Sequence, residues 1–325
     1  MTNKEEYKVI CSEHPEIPVY AQYWWLDAIS NDSVWDVIVA RDEKGNPAAT
    51  LPYIVRKNVF FTTVSYPIQS PLLGIHFFYP DNGLLDDNYE RQTFEEKYTF
   101  VILDEIEKIN PSLFVQNFST DFVSHLPFFW RGYSQCTRYT YKLESIEDLD
   151  AVFSNLRKSK QRQIKKAQKE GLATSFDMNV DDFIEFHKYT YKKRGEYDLI
   201  NKFGWEEFLR KVADHPNTRF VGVRDKEGTL LSVFFLAWDS RYAYYLLTGI
   251  DQDKKSLGAP SLMLWDTFNF LQGKTKGFDF EGSMTQSIGS SHREFGAKLF
   301  PYLHIYKYNS TPFMLMSKLL GKEVK

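Results

Sequence analysis

Asp279, Glu281 and Ser283 alternate along the segment Phe278-Asp279-Phe280-Glu281-Gly282-Ser283. In an extended strand such alternation puts all three on one side. A carboxylate held there, at the end of a strand and beside a helix start, can take a proton from an attacking amine. The same two carboxylates can instead accept backbone N–H groups and anchor the loop that follows, with no chemistry of their own. Arg293 and Lys298 flank Phe295-Gly296 and offer a clamp for a carboxylate or phosphate, although either one alone also reads as a surface charge.

A second candidate is the turn Lys254-Lys255-Ser256-Leu257-Gly258-Ala259-Pro260-Ser261. A glycine turn that opens a helix exposes backbone N–H groups and the positive end of the helix dipole, so Gly258, Ala259 and Ser261 could hold a phosphate with Lys254 and Lys255 adding charge. The plainer reading is a helix start with solvated lysines and proline at an early helical position. A third candidate is the stretch from Arg157 to Lys169, where Lys158, Arg162, Lys165 and Lys169 share one helix face with no acid between them. Like charges at that spacing repel, which a bound polyanion would relieve, whereas a solvated face would not. Tyr245, Thr248 and Trp265 are candidates for a substrate groove, with core packing as the competing use of the aromatics.

The elements that must position these residues follow a mixed α/β order. The first half reads as a helix (Gln22 to Ile29), a three-stranded meander within 34–65, a helix (Phe94 to Ile109) and a strand (Ser112 to Phe118). The second half reads as a strand (Arg138 to Leu143), two helices ending at Gly171, a strand (Ala173 to Met178) and helices over Val180 to Arg194 and Trp205 to Ala213. A second meander of three strands follows (Arg219 to Thr248), then a helix (Ala259 to Leu271), a strand (Gly277 to Glu281), a short helix (His292 to Gly296), a strand (Tyr302 to Tyr308) and a last helix. Parallel pairing is expected only around the Ala259 helix. The two halves share this outline without an evident residue-level repeat, and the boundary is placed between 137 and 138.

With 325 residues, 43% of them hydrophobic and 17% aromatic, the chain can bury a large core and fill two domains. A net charge of −3 argues against a general nucleic-acid coat and against DNA as a partner, while leaving room for a local basic patch. The seven histidines and two cysteines, Cys11 and Cys136, show no ligand spacing, so no metal site and free thiols in a reducing compartment are expected. No apolar run is long enough to span a membrane, and the charged N-terminus is unlike a signal peptide, which makes the cytoplasm the expected location. Neither a Gly-x-Ser-x-Gly elbow nor a phosphate loop ending in Gly-Lys-Ser/Thr is present.

The segments Arg162 to Gly171 (R-x-I-K-K-A-x-K-x-G), Gly258 to Trp265 (G-A-P-S-L-M-L-W), Phe278 to Ser283 (F-D-F-E-G-S) and Phe295 to Ala297 (F-G-A) together resemble the FemAB-like branch of the GNAT acyltransferase superfamily. The resemblance implies two tandem GNAT-like domains, 1–137 and 138–325, each a mostly antiparallel mixed sheet flanked by helices, with the better-formed site in the second. It implies transfer of an acyl or aminoacyl group, from acyl-CoA or aminoacyl-tRNA as co-substrate and with no permanently bound cofactor, to an amine of a small molecule or cell-envelope or sugar precursor. On this reading Glu281, Asp279 and Ser283 are catalytic candidates, and Lys254, Lys255, Gly258, Ala259 and Ser261 bind the donor. Tyr245, Thr248, Trp265, Arg293 and Lys298 bind the substrate, and Lys158, Arg162, Lys165 and Lys169 bind a polyanion. Candidate partners include tRNA and peripheral contact with a membrane. CoA-binding GNAT enzymes usually carry Arg/Gln-x-x-Gly-x-Gly/Ala, where this chain has Lys255 to Pro260, and Pro260 lacks an N–H. A non-catalytic GNAT-like protein that recognises an envelope precursor or a protein partner is the alternative.

Overall fold

The computed structural model describes residues 2–29, 34–80, 87–193, 195, 200, 204–282, 286–322 and 324. In chain order its main elements are α1 (Asn3–Glu13), α2 (Tyr23–Ala28), β1 (Val34–Arg41), β2 (Pro47–Lys57), β3 (Thr62–Ser65), β4 (His76–Phe77), α3 (Asn88–Ile109), β5 (Leu113–Asn117), α4 (Leu126–Trp130) and β6 (Ser134–Leu143). Then come α5 (Leu149–Asn155), α6 (Lys158–Lys169), β7 (Ala173–Ser175), α7 (Val180–Lys193), α8 (Trp205–Val212), β8 (Thr218–Arg224), β9 (Leu230–Trp238) and β10 (Tyr242–Ile250). The chain finishes with α9 (Ala259–Phe270), β11 (Gly277–Asp279), α10 (Gln286–Glu294), β12 (Lys298–Tyr308) and α11 (Thr311–Leu319).

Two compact units result, one made of Met1–Arg138 with Pro301–Lys325 and the other of Tyr139–Phe300. Residues 301–325, the end of the second half (138–325) in sequence, therefore cluster with the first unit. In that unit β1, β2 and β3 form an antiparallel meander, β5 lies parallel to β3, and β12 lies antiparallel to β5. Its core gathers Ile102, Leu103 and Ile106 of α3 with Phe114, Phe118 and Phe128. Helix α3 starts where the Asp87 carboxylate accepts the Tyr89 and Glu90 N–H groups and stops at Asn110, whose φ of 49° ends the helical path.

In the second unit β8, β9 and β10 repeat the meander, β11 lies parallel to β10, and β6 lies antiparallel to β11. One core carries Ile164 and Ala167 of α6 and Leu262, Met263 and Phe268 of α9 against Phe234, Phe278 and Phe280. Ring contacts among Phe183 of α7, Phe208 of α8, Phe220 and Phe235 form a second aromatic cluster. The expected mixed sheet is the observed arrangement, with a parallel pair flanking the Ala259 helix, but parallel pairing is not confined to that helix: β3 and β5 are parallel as well.

The two meanders also share residues. The first hairpin of one turns on Arg41-Asp42-Glu43-Lys44-Gly45 and that of the other on Arg224-Asp225-Lys226-Glu227-Gly228. In both, the Asp Oδ1 accepts two backbone N–H groups, from Lys44 and Asn46 in one and from Glu227 and Thr229 in the other. In both, the Arg guanidinium donates to the Gly carbonyl, at 2.8 Å from Arg41 and 2.9 Å from Arg224. The glycines take φ of 87° and 82°, a region closed to most side chains. The expectation of no residue-level repeat is corrected by this Arg-Asp-x-x-Gly motif, which recurs because both turns need the same two devices.

Other differences are local. Helix α1 was not expected, although Thr2 and Glu5 form a capping box at its start. The third strand of the first meander starts only at Thr62, because Asn58 Oδ1 accepts the Phe60 and Phe61 N–H groups and turns the chain there. The helix expected over His292 to Gly296 instead runs from Gln286 to Glu294.

Candidate functional site

Strand β11 is three residues long and pairs with β10 only at Tyr242↔Gly277, Ala243↔Phe278 and Tyr244↔Asp279. Beyond that point β10 continues to Ile250, while the chain after Asp279 leaves the strand. Two neighbouring parallel strands therefore part at Tyr244 and Asp279. On the β10 side Leu246 faces Phe235 and Thr248 faces Phe234, so Leu247 is an extra residue, and it sits at φ 40°. A bulged leucine in left-handed backbone is strained, and it interrupts the regular ladder so that local peptide groups can be re-aimed.

On the β11 side Glu281 takes φ 67°, again unusual for a residue with a Cβ. The reason lies two residues earlier. Asp279 is fully buried; its Oδ1 accepts the Glu281 N–H at 2.8 Å and the Thr140 hydroxyl, and its Oδ2 lies 3.4 Å from Lys142 Nζ. Burial pushes the Asp279 carboxyl above its ordinary range, opposed by the Lys142 ammonium and the hydrogen bonds. The ammonium is itself buried and lies 4.2 Å from the centre of the Tyr242 ring. Asp279 and Glu281 thus have different situations: the first is locked in a buried ion pair and shapes the turn, and the second is partly exposed where the strands part. The alternation expected through Glu281 stops at Asp279, because the left-handed residue breaks the strand geometry. Ser283 lies outside the described residues.

The turn at the far end of β10 is built around Gly258. It has φ 84°, and a Cβ there would meet the Gln163 carbonyl oxygen at 2.6 Å, so glycine is required both by the backbone and by close approach of α6. Ser261 and Gln163 share a hydrogen bond of 2.7 Å, and Lys166 Nζ donates to the Ser256 carbonyl at 3.0 Å. Ala259 and Ser261 are buried in this contact. Lys254 is paired with Asp225 at 3.3 Å, and Lys255 is exposed. The basic helix and the Gly258 turn, read separately from sequence, are in direct contact.

Lys158, Arg162, Lys165 and Lys169 all lie on the exposed side of α6, whose Ile164 and Ala167 face the core. Tyr245 packs on Phe234 and Trp265 on Phe153, which is core work at half-buried positions. Thr248 adjoins the bulge. Arg293 is exposed, and Lys298 is held on the surface by Glu144. A groove of about 650 Å³ lies elsewhere in the second unit, lined by Asp182, Glu185, Phe186 and Tyr189 along α7, by Arg224 at the end of β8 and by Asp251 just past β10. Asp182 lies 3.9 Å from the Arg224 guanidinium and Asp251 3.1 Å from Lys193 Nζ, so Glu185 and the Phe186 and Tyr189 rings are the contacts it offers a cationic amine.

Residues 154–284 match the acetyltransferase (GNAT) domain family. Among solved structures FemX matches with a TM-score of 0.72 and 10% identity, covering 98% of each chain. The chain also matches L-PGS from Bacillus licheniformis, with a TM-score of 0.57, 11% identity and coverage of 99% of this chain and 97% of that one. The C-terminal domain of a protein assigned as a lysylphosphatidylglycerol synthetase from Agrobacterium fabrum gives a TM-score of 0.59 at 10% identity, with coverage of 98% and 97%. A search of curated proteins returned no match. The FemAB-like resemblance read from the sequence thus holds for the fold along nearly the whole chain.

The stretch that matches the family, 154–284, contains α6, the Gly258 turn, the bulged β10 and Glu281. Sequence reasoning missed Leu247, because nothing in Tyr244-Tyr245-Leu246-Leu247-Thr248 marks a bulge. It also missed the groove, although Asp182, Glu185, Phe186 and Tyr189 stand at i, i+3, i+4 and i+7 and so share a helix face. Among the described residues no helix is long and apolar enough to cross a membrane.

Proposed function

We propose that this protein transfers an acyl or aminoacyl group from acyl-CoA or aminoacyl-tRNA to an amine of a cell-envelope or sugar precursor in the cytoplasm. The observation that carries the reading is the parting of β10 and β11 past Tyr244 and Asp279, with the Leu247 bulge on one side and Glu281 on the other. The donor carbonyl lies along the freed edge of β10, where backbone N–H groups can hold the oxyanion. The amine nitrogen attacks that carbonyl, Glu281 takes the proton the nitrogen loses, and the thiolate or the tRNA hydroxyl departs with the electrons of the broken bond. Asp279 is a positioning residue that acts through Glu281. The acceptor ammonium enters by way of the Asp182, Glu185 and Asp251 groove.

For the donor, Lys255 and the α9 start meet a diphosphate, and Lys158, Arg162, Lys165 and Lys169 meet a longer phosphate backbone if the donor is tRNA. Thermal-shift titration with acetyl-CoA, longer acyl-CoA and charged tRNA separates these donors, because a ligand that binds only the folded state raises its melting temperature. Glu281→Gln is expected to lower the turnover number by at least about a hundredfold. No shift with any donor, together with full activity of Glu281→Gln, would sink the reading.

Pro260 favours a second reading. It stands in the first turn of α9, where it removes an N–H, and the Gln163–Ser261 contact occupies the same helix start. A binding protein that uses the groove and no donor fits those facts. Stabilisation by an amino-sugar or peptide amine alone, and by no donor, would select it.

A further inference from the structure

Helix α11 buries its serine and exposes its leucines. Ser317 is buried, whereas Leu319 is 88% exposed, Leu320 just past the helix is 61% exposed and Leu315 is 52% exposed. An ordinary surface helix does the reverse. Beside it stands the tip of the β2–β3 hairpin, where Val59 is 91% and Phe60 82% exposed. The two elements are more than 250 residues apart in sequence and meet through Phe61 and Phe313, whose rings are 5.0 Å apart at 67°. The hairpin tip is held in shape by Asn58, whose Oδ1 receives the Phe60 and Phe61 N–H groups at 2.9 and 2.8 Å. Apolar side chains that protrude this far from a fixed turn serve a contact outside the chain.

Charge selects the occupant. The hairpin carries Arg56 and Lys57 and no acid between Val55 and Ser65, and α11 and the turn after it carry Lys318 and Lys322. In a chain of net charge −3, the two elements with the most exposed apolar side chains therefore also expose these four cations. Basic residues beside inserted apolar groups are what an anionic bilayer surface attracts, the lysines meeting headgroups and the apolar tips entering the acyl boundary. Two convex points, a hairpin tip and a helix end, suit a deformable lipid surface better than the flat complementary face of a protein partner.

We infer that the Val59-Phe60 hairpin tip and the outer face of α11 form a docking surface for an anionic lipid bilayer. It stands independently of the acyl-transfer reading, because its test measures binding alone. Co-sedimentation with vesicles of phosphatidylcholine, with and without phosphatidylglycerol, should show binding that depends on phosphatidylglycerol and weakens with salt. Phe60→Asp and Leu319→Asp should each lower the partition coefficient by more than about tenfold, and Lys57→Glu with Lys322→Glu by a similar factor. All four positions are exposed, so circular dichroism and melting temperature should not change. Wild-type protein that stays in the supernatant, or binds equally well with Phe60→Asp, overturns the proposal. A wild-type dimer in sedimentation velocity that Phe60→Asp dissolves, with no vesicle binding, overturns it in favour of a second copy.

Discussion

Lys142 Nζ lies 3.4 Å from Asp279 Oδ2 across the β6–β11 pair, and both side chains are buried. This contact fixes the carboxylate that in turn holds the Glu281 N–H. Removing one partner leaves a buried charge unpaired, so Lys142→Met should cost about 3–5 kcal/mol in urea unfolding. Replacing both, as Lys142→Met with Asp279→Leu, should restore part of that stability yet leave the turn at Glu281 unanchored. Recovered stability without recovered turnover separates the folding role of the pair from its positioning role.

Gly258 meets two constraints at once, a φ of 84° and the Gln163 carbonyl 2.6 Å from any Cβ. Gly258→Ala should destabilise by at least about 2 kcal/mol and weaken donor binding more than acceptor binding. Chemical denaturation and a separate titration of each ligand check the two halves of this expectation. Equal loss of both ligands would argue that the turn has no special link to the donor.

His292 is buried on Phe280, with ring centres 5.0 Å apart, and burial followed by the nearby Lys160 ammonium lowers its pKa to about 4. The unfolded chain protonates this group near pH 6.5, so stability is full above that value and is lost as pH falls toward 4. The largest contribution is on the order of 3 kcal/mol. Its Nδ1 makes no hydrogen bond, so phenylalanine forfeits none at that atom. His292→Phe should flatten the dependence of unfolding free energy on pH across this window. An unchanged slope would mean that the imidazole is solvated.

Neither Cys11 nor Cys136 is in a disulfide, and of the two Cys136 is the partly exposed one. Burial pushes the Cys11 thiol up to about 11, so at pH 8 it remains protonated and shielded. Titration with a chromogenic disulfide should find one fast thiol per native chain and a second only after denaturation. Cys136→Ser should remove the fast phase.

The layout of the second unit was legible because its signals are local: a meander of β-branched and aromatic runs, a glycine (Gly171) after the basic helix and an acidic-aromatic strand. The Gly258 turn and the basic helix could be read one by one, but not their contact, since the Ser261–Gln163 hydrogen bond spans 98 positions. Asp279 and Glu281 looked like equivalents on one strand face. A partner 137 positions earlier, Lys142, makes them different, and no local pattern announces a buried lysine. Leu247 was invisible for a related reason: a leucine in left-handed backbone is a cost imposed by its surroundings and has no signature of its own. The Arg-Asp-x-x-Gly turns, by contrast, stood in the sequence and needed only comparison.

The first unit takes its last strand from beyond the second in chain order, since β12 follows the second unit and pairs with β5. On the ribosome this imposes a wait. The first unit emerges with the outer edge of β5 bare and stays so until residues 139–300 have been made, on the order of ten to thirty seconds at typical synthesis rates. During that interval the nascent chain presents an unpaired edge bordered by Phe114 and Phe118, which makes it a natural client for a chaperone.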